Sequence, residues 1–189
     1  MFTPEAMAQF SNNLVYSAIA VYALAFFAYA AATALRVSRR APEHVPVRTA
    51  GSEPSPAGRV PGSPATPRHD VAGAVGSSLT ILAFALHLLG TLARGLAADR
   101  VPWGNMYEFA LVGALAATAT YLAFLRRQPV RDLGVWVVAI VLLTLGLAVT
   151  VLYTPAGALV PVLNSYWLLI HVAAAITAGG MFTVGAVAS

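Results

Sequence analysis

The sequence contains no cysteine and very little charge. None of its 189 residues is Cys, and only 10% are charged. The lack of cysteine excludes disulfide bonds, thiolate metal sites and a cysteine nucleophile. The lack of charge leaves too little polar surface to cover a soluble core, because 59% of the residues are hydrophobic. The composition therefore indicates a membrane protein.

Five long apolar runs follow one another along the chain. The predicted spans are Leu14–Leu35, Val71–Ala93, Phe109–Leu125, Leu133–Tyr153 and Tyr166–Val187. Each is close to the length of about 20 residues that a helix needs to cross a bilayer. We therefore predict an all-α fold, a polytopic bundle of five transmembrane helices.

The distribution of arginine predicts how this bundle is oriented. All eleven basic residues are Arg, and nine of them lie in two loops, 36–70 and 126–132. Cytoplasmic loops are enriched in Lys and Arg. We therefore expect these loops in the cytoplasm and the N-terminus, 94–108 and 154–165 outside the plasma membrane. The positive charge is explained by contact with a lipid bilayer, not with nucleic acid.

The chain divides into three parts. Residues 1–40 hold the first helix with its flanks, and residues 71–189 hold a four-helix membrane domain. Between them, residues 41–70 contain seven prolines among Gly, Ser and Ala, which predicts a disordered loop. His44 and His69 fall in it without metal-ligand spacing, so we interpret them as solvated.

The last apolar run ends at Ser189 without a charged or interfacial anchor. Membrane helices usually carry such residues at their ends. We therefore expect the chain to be a fragment of a longer protein.

Two histidines interrupt the apolar runs, His87 in the second and His171 in the fifth. An ionisable residue inside a membrane helix marks a functional site by default, and hydrogen bonding to a neighbouring helix is the structural alternative. His171 shares a helix face with Trp167, Ala174, Ala175 and Ala178. That face would suit a flat macrocycle, and it would equally suit close helix packing.

The segment VPWGNMYEF before the third span is the least generic stretch of the sequence. Asn105, followed three residues later by Glu108, is typical of a capping box at a helix start. Pro102 would shape the preceding turn, and we expect Trp103 and Tyr107 at the membrane interface. The segment needs no catalytic role, and we predict no catalytic residue in the chain.

Two segments together resemble the cytochrome c assembly protein family, the haem-handling membrane subunit of system II cytochrome c biogenesis. RGLAADRVPWGNMYEF is similar to a "P-x-N-x-Y-E" type segment of that family, with one more residue between Pro and Asn, and PVLNSYWLLIHV is similar to an "L-x-S-x-W-L-x-x-H-V" motif. The matching residues are Pro102, Asn105, Tyr107, Glu108, Leu163, Ser165, Trp167, Leu168, His171 and Val172. The resemblance runs from the second span to the end of the chain.

The resemblance implies that His171 is an axial ligand to the iron of transiently bound haem b, with Trp167 beside it. The family delivers haem across or at the outer face of the membrane for covalent attachment to apocytochrome c. Its partners are the apocytochrome and a second, ResB-like membrane subunit. The complete complex is a haem lyase, but the family's tryptophan-rich segment and second external histidine are absent here. Whether this chain is an enzyme stays open, and we expect no activity from it alone.

Two functions of other classes also stay open. In a membrane cytochrome b, His87 and His171 from two helices would bind one haem for electron transfer. In a non-catalytic assembly scaffold, both histidines would serve only helix packing. His87 has no counterpart in the family motifs.

Overall fold

The computed structural model describes residues 3–40, 68–128, 130–157 and 165–189, with a side-chain description that leaves out 36–40 and 68–70. The regular structure in these ranges is helical. The helices are α1 (Pro4–Arg40), α2 (Arg68–Ala97), α3 (Met106–Leu125), α4 (Gly134–Thr150) and α5 (Tyr166–Ala188), with a 3₁₀ turn (Arg131–Leu133) before α4. The five α-helices, α4 together with its 3₁₀ turn, are long and apolar enough to span a membrane. The predicted all-α bundle of five spans is confirmed.

The first helix begins ten residues earlier than its apolar run, at Pro4 instead of Leu14. Thr3 caps it, because the Thr3 hydroxyl accepts a hydrogen bond from the Ala6 amide at 3.2 Å. Pro4 then occupies the first helical position, where no amide hydrogen is needed, and Glu5 complements the helix dipole. Hydrophobicity alone missed this start.

Other boundaries also differ from the prediction: α1 ends at Arg40, α2 ends at Ala97 and α3 begins at Met106. Helix α2 begins at Arg68, so the last three residues of the predicted 41–70 loop, including His69, are helical. The rest of that loop, with His44, lies outside the described residues. Helix α4 ends at Thr150, three residues before Tyr153, and the chain then turns under hydrogen bonds from the Val151 and Leu152 amides to the Leu147 carbonyl.

Helix α1 packs mainly against α2. Its buried residues alternate at spacings of four and three: Ser11, Val15, Ala18, Tyr22, Ala25, Tyr29 and Ala32. This repeat of seven keeps one side of the helix facing its neighbour. Small residues alternate with tyrosines, so that α2 approaches closely: a Cβ at Gly76 would lie 2.9 Å from the Tyr29 ring.

The tyrosines of α1 pair with polar groups of α2 and α3 inside the bundle. The Tyr121 hydroxyl donates to the Tyr29 hydroxyl at 3.0 Å, and Tyr29 donates to the Ser77 hydroxyl at 3.2 Å. Further along, the Tyr22 hydroxyl donates to the Thr118 hydroxyl at 3.3 Å. Interhelical hydrogen bonds of this kind hold membrane helices together where lipid supplies no hydrophobic driving force.

Helix α5 is attached differently. It packs chiefly on α3, touches α4 at few points, and buries only Ile176, Gly180 and Val184. A Cβ added at Gly180 would lie 2.8 Å from the backbone carbon of Ala116. The interface between α5 and α3 therefore depends on the close approach of the two backbones at Gly180.

Candidate functional site

One end of the bundle holds Glu108 together with polar contacts between α1, α2 and the residues after α4. The Ser11 hydroxyl of α1 donates to the Gly90 carbonyl of α2 at 2.7 Å, and the Asn12 amide donates to the Tyr153 hydroxyl, after α4, at 3.0 Å. Helix α3 starts at this end, next to its buried Glu108. We call it the Glu108 end. The second arginine-rich loop lies at the other ends of α3 and α4.

Glu108 is fully buried and paired with two arginines. Arg94 Nε lies 3.2 Å from Glu108 Oε1, and both groups are inaccessible to solvent. Arg100 Nη1 lies 2.6 Å from Oε2, and its Nη2 lies 3.2 Å from Oε1. The Gly104 amide donates a fourth hydrogen bond to Oε2 at 2.9 Å. A buried carboxylate is tolerated because its oxygens are all hydrogen-bonded and its charge is paired.

Of the two hydrogen bonds in the predicted capping box of α3, the one accepted by the Asn105 side chain is confirmed. Asn105 is the N-cap, and its Oδ1 accepts from the Glu108 amide at 2.9 Å. The second hydrogen bond differs. In a capping box the Glu108 carboxylate would accept from the Asn105 amide, but here it accepts from the Gly104 amide. The cap thus accounts for the Glu108 backbone, and the arginines account for its buried charge.

Both arginines also hold the chain after α4. Arg94 Nη2 donates to the Thr154 carbonyl, and Arg100 Nε donates to the Gly157 carbonyl at 3.1 Å. The Arg94 guanidinium lies 4.9 Å from the centre of the Tyr107 ring, which makes a cation–π contact. Sequence reasoning gave these two arginines no role in the site, although two arginines close to a motif glutamate were a usable signal.

The remaining residues of the motif serve this arrangement. Tyr107 is buried under Arg94 and meets the Tyr153 ring edge-on at 5.3 Å, so the prediction of an interfacial Tyr107 is wrong. Pro102 lies against α2, 3.2 Å from the position of a Cβ at Gly95. Trp103 is partly buried.

His87 is enclosed between α1, α2 and α3. Its exposed fraction is 0%, and its ring meets the Tyr22 ring edge-on at 6.1 Å. The ring faces the Leu111 backbone, yet neither nitrogen has a well-formed hydrogen bond to the described residues. A haem could reach His87 only by separating these helices.

His171 has the opposite surroundings. It lies in the second turn of α5 and is exposed, as are Ala174 and Ala175. Trp167, one turn earlier, is 79% exposed. The two histidines therefore share no site. Among the described residues, no group of three or more His, Asp or Glu side chains could hold a metal ion.

An apolar groove of about 290 Å³ lies beside the His171 face, where α4 and α5 diverge over α3. Its walls include Phe109, Gly113, Ile140, Ala175 and Gly179. Two threonine hydroxyls in the groove, at 144 and 183, donate to carbonyls of their own helices. The groove therefore suits hydrocarbon and offers no catalytic group.

In the described part of the chain, the exposed His171 lies beside an apolar surface, and Glu108 forms a buried ionic network with Arg94 and Arg100. The imidazole can bind and orient a group, whereas the buried Glu108 carboxylate is engaged in ion pairs with Arg94 and Arg100. No family model, no curated protein and no solved structure matches the chain.

Proposed function

We propose that this protein handles haem in c-type cytochrome biogenesis and holds it at the outer face of the plasma membrane through His171. The observation that carries the proposal is the exposure of His171 on a helix that is long and apolar enough to span a membrane. An imidazole on a membrane-facing surface is unfavourable unless a ligand or partner covers it. The two family-like segments add to this argument, because His171 belongs to the second of them.

The residues around His171 fit a flat macrocycle. Trp167 lies one turn before the imidazole. The small side chains at 174 and 175 leave space beside the imidazole for a flat group. An unprotonated imidazole nitrogen of His171 would be the axial ligand to the iron. Haem bound there supplies the group that is attached to apocytochrome c, while this chain binds and orients it.

The orientation of the bundle is part of the proposal. Nine of the eleven arginines lie in the loops 36–70 and 126–132, and the enrichment of cytoplasmic loops in arginine supports a cytoplasmic position for both. The Glu108 end would then lie outside. The start of α5 would lie toward that end as well, because α5 is the next candidate span after α4, which ends there. His171 would thus be within reach of an external apocytochrome.

A pair of single-cysteine variants tests the orientation, since the chain has no cysteine of its own. A cysteine at Gly157 should react with a membrane-impermeant thiol reagent in intact cells, and one at Gln128 should react only after permeabilisation. Both positions are exposed, so burial does not confound the result. The reverse pattern would overturn the proposed orientation.

Substitution of the two histidines tests the haem assignment. We expect His171→Gly in the complete protein to lose most of its haem and to impair cytochrome c maturation, and added imidazole to restore part of both. His87→Gly is the matched control and should keep its haem. Loss of haem in both variants would favour a bis-histidine cytochrome b, and normal haem and maturation in His171→Gly would favour a scaffold.

A further inference from the structure

The residues that follow α4, Val151–Gly157, here called the post-α4 segment, are held by side chains from other elements. The first two amides bond to the Leu147 carbonyl at the end of α4. Beyond them, the Thr154 carbonyl accepts from Arg94 and the Gly157 carbonyl accepts from Arg100. Within the described residues, these two arginines supply the hydrogen bonds that tie the segment's backbone to α2 and to the residues after it.

The two arginines are in turn held by one carboxylate. Glu108 accepts one hydrogen bond from Arg94 and two from Arg100. A guanidinium presents its donors in a rigid planar fork, so fixing one edge of the fork fixes the direction of the others. The carboxylate therefore fixes the orientation of both guanidinium groups. In this orientation their remaining N–H groups donate to the carbonyls of the post-α4 segment.

The charges make this arrangement depend on Glu108. Two arginines share one carboxylate, and Arg94 is fully buried while Arg100 is only 13% exposed. Without the carboxylate, two like charges would remain in a poorly solvated place and would repel each other. The two guanidinium groups would then turn away from the Thr154 and Gly157 carbonyls.

We propose that Glu108 is a positioning residue that holds the post-α4 segment against the Glu108 end through Arg94 and Arg100. The arrangement is an ionic clasp with a strong side and a weak side. The strong side joins charged groups to each other, and the weak side joins the guanidinium groups to neutral carbonyls. The weak side is the one that holds the post-α4 segment. This role does not depend on haem.

A spin label at Gly157→Cys measures the release directly. The chain has no other cysteine, and a Cβ at Gly157 meets nothing within 4 Å. We expect an immobile label in the parent protein. In Glu108→Gln, the ratio of mobile to immobile label should rise on the order of tenfold or more, since two hydrogen bonds from charged donors are lost. Arg100→Gln should show a similar rise.

Three variants separate the effect of the clasp from the effects of surface charge, helix capping and misfolding. Asp99→Asn removes an exposed carboxylate at the same end, at a residue whose positive φ of 51° Asn tolerates, and should leave the label immobile. Asn105→Ala removes the helix cap and keeps the carboxylate, so it too should leave the label immobile. Arg100→Gln leaves one arginine for one glutamate, so it folds even if Glu108→Gln does not.

The outcomes decide the proposal without reference to haem, because the label is read in haem-free protein. Release in Glu108→Gln and Arg100→Gln, with none in the other two variants, supports the clasp. An immobile label in Arg100→Gln overturns it. Equal release in Asn105→Ala also overturns it, since helix capping would then be what positions the segment.

Discussion

The three helices α1, α2 and α3 differ from α5 in where they put their polar side chains. In the first three, tyrosine, serine, threonine and ionic groups are buried and mostly paired with one another. Helix α5 instead buries small and apolar residues and turns Trp167 and His171 outward. Polar side chains inside the bundle thus join helices, whereas His171 on α5 is exposed.

The largest loss of stability should follow from a substitution in the ionic network of the inner helices. Arg94→Met removes one partner of a buried pair, together with the contacts to Thr154 and Tyr107. We expect the free energy of unfolding in detergent to fall by about 3–5 kcal/mol. Arg127→Met, at an exposed position, should change it by no more than about 0.5 kcal/mol. Equal small effects would mean that the network adds little to stability.

Two neighbouring glycines compare the packed and open sides of α5. Gly180→Ala places a Cβ 2.8 Å from the Ala116 backbone, whereas a Cβ at Gly179 meets nothing within 4 Å. We expect Gly180→Ala to cost about 1–3 kcal/mol through overpacking. Gly179→Ala should stabilise α5 by about 0.5–1 kcal/mol, because alanine is the better helix former. Unfolding curves of the two variants should move in opposite directions, and a shift in the same direction would contradict the packing of α5 on α3.

The number and position of the spans were predictable, because bilayer thickness demands long apolar runs and these stand out in any sequence. Their ends were harder to predict. Helix α1 extends to Pro4 through a polar cap that hydropathy does not register, and α4 stops at Thr150 while its apolar residues continue. Helix ends depend on which backbone groups find partners, and hydropathy carries no such information.

The candidate site was predictable only where its contacts are local. The cap of α3 joins Asn105 to the residue three positions later, so sequence spacing revealed it. The arginine partners of Glu108 lie 8 and 14 positions away from it, and their bonds to Gly157 and Thr154 join residues 57 and 60 positions apart. The contrast between His87 and His171 has the same origin, because both lie in similar apolar helices and only packing decides which face turns inward.

A smaller effect should follow from the tyrosine hydrogen bonds. Tyr29→Phe removes the hydroxyl that accepts from Tyr121 and donates to Ser77, and it preserves the ring against Gly76. We expect a loss of about 0.5–1.5 kcal/mol. Tyr16→Phe is the control, since Tyr16 is half exposed, and it should leave the unfolding midpoint unchanged. A Tyr29→Phe protein as stable as the parent would show that these hydroxyls are not needed to join α1 to α2 and α3.

The smallest effect on stability is expected at His171. Its side chain is exposed on α5, so His171→Leu removes no described contact and replaces an ionisable group with one that lipid solvates well. The free energy of unfolding should change by no more than about 0.5 kcal/mol. Phe182→Leu is the matched control, because Phe182 is 76% exposed on the same helix. It should change the free energy of unfolding equally little. A fall of more than about 1 kcal/mol in His171→Leu alone would mean that His171 packs against protein. The difference between α5 and the inner helices would then disappear, and with it the main support for His171 as a ligand.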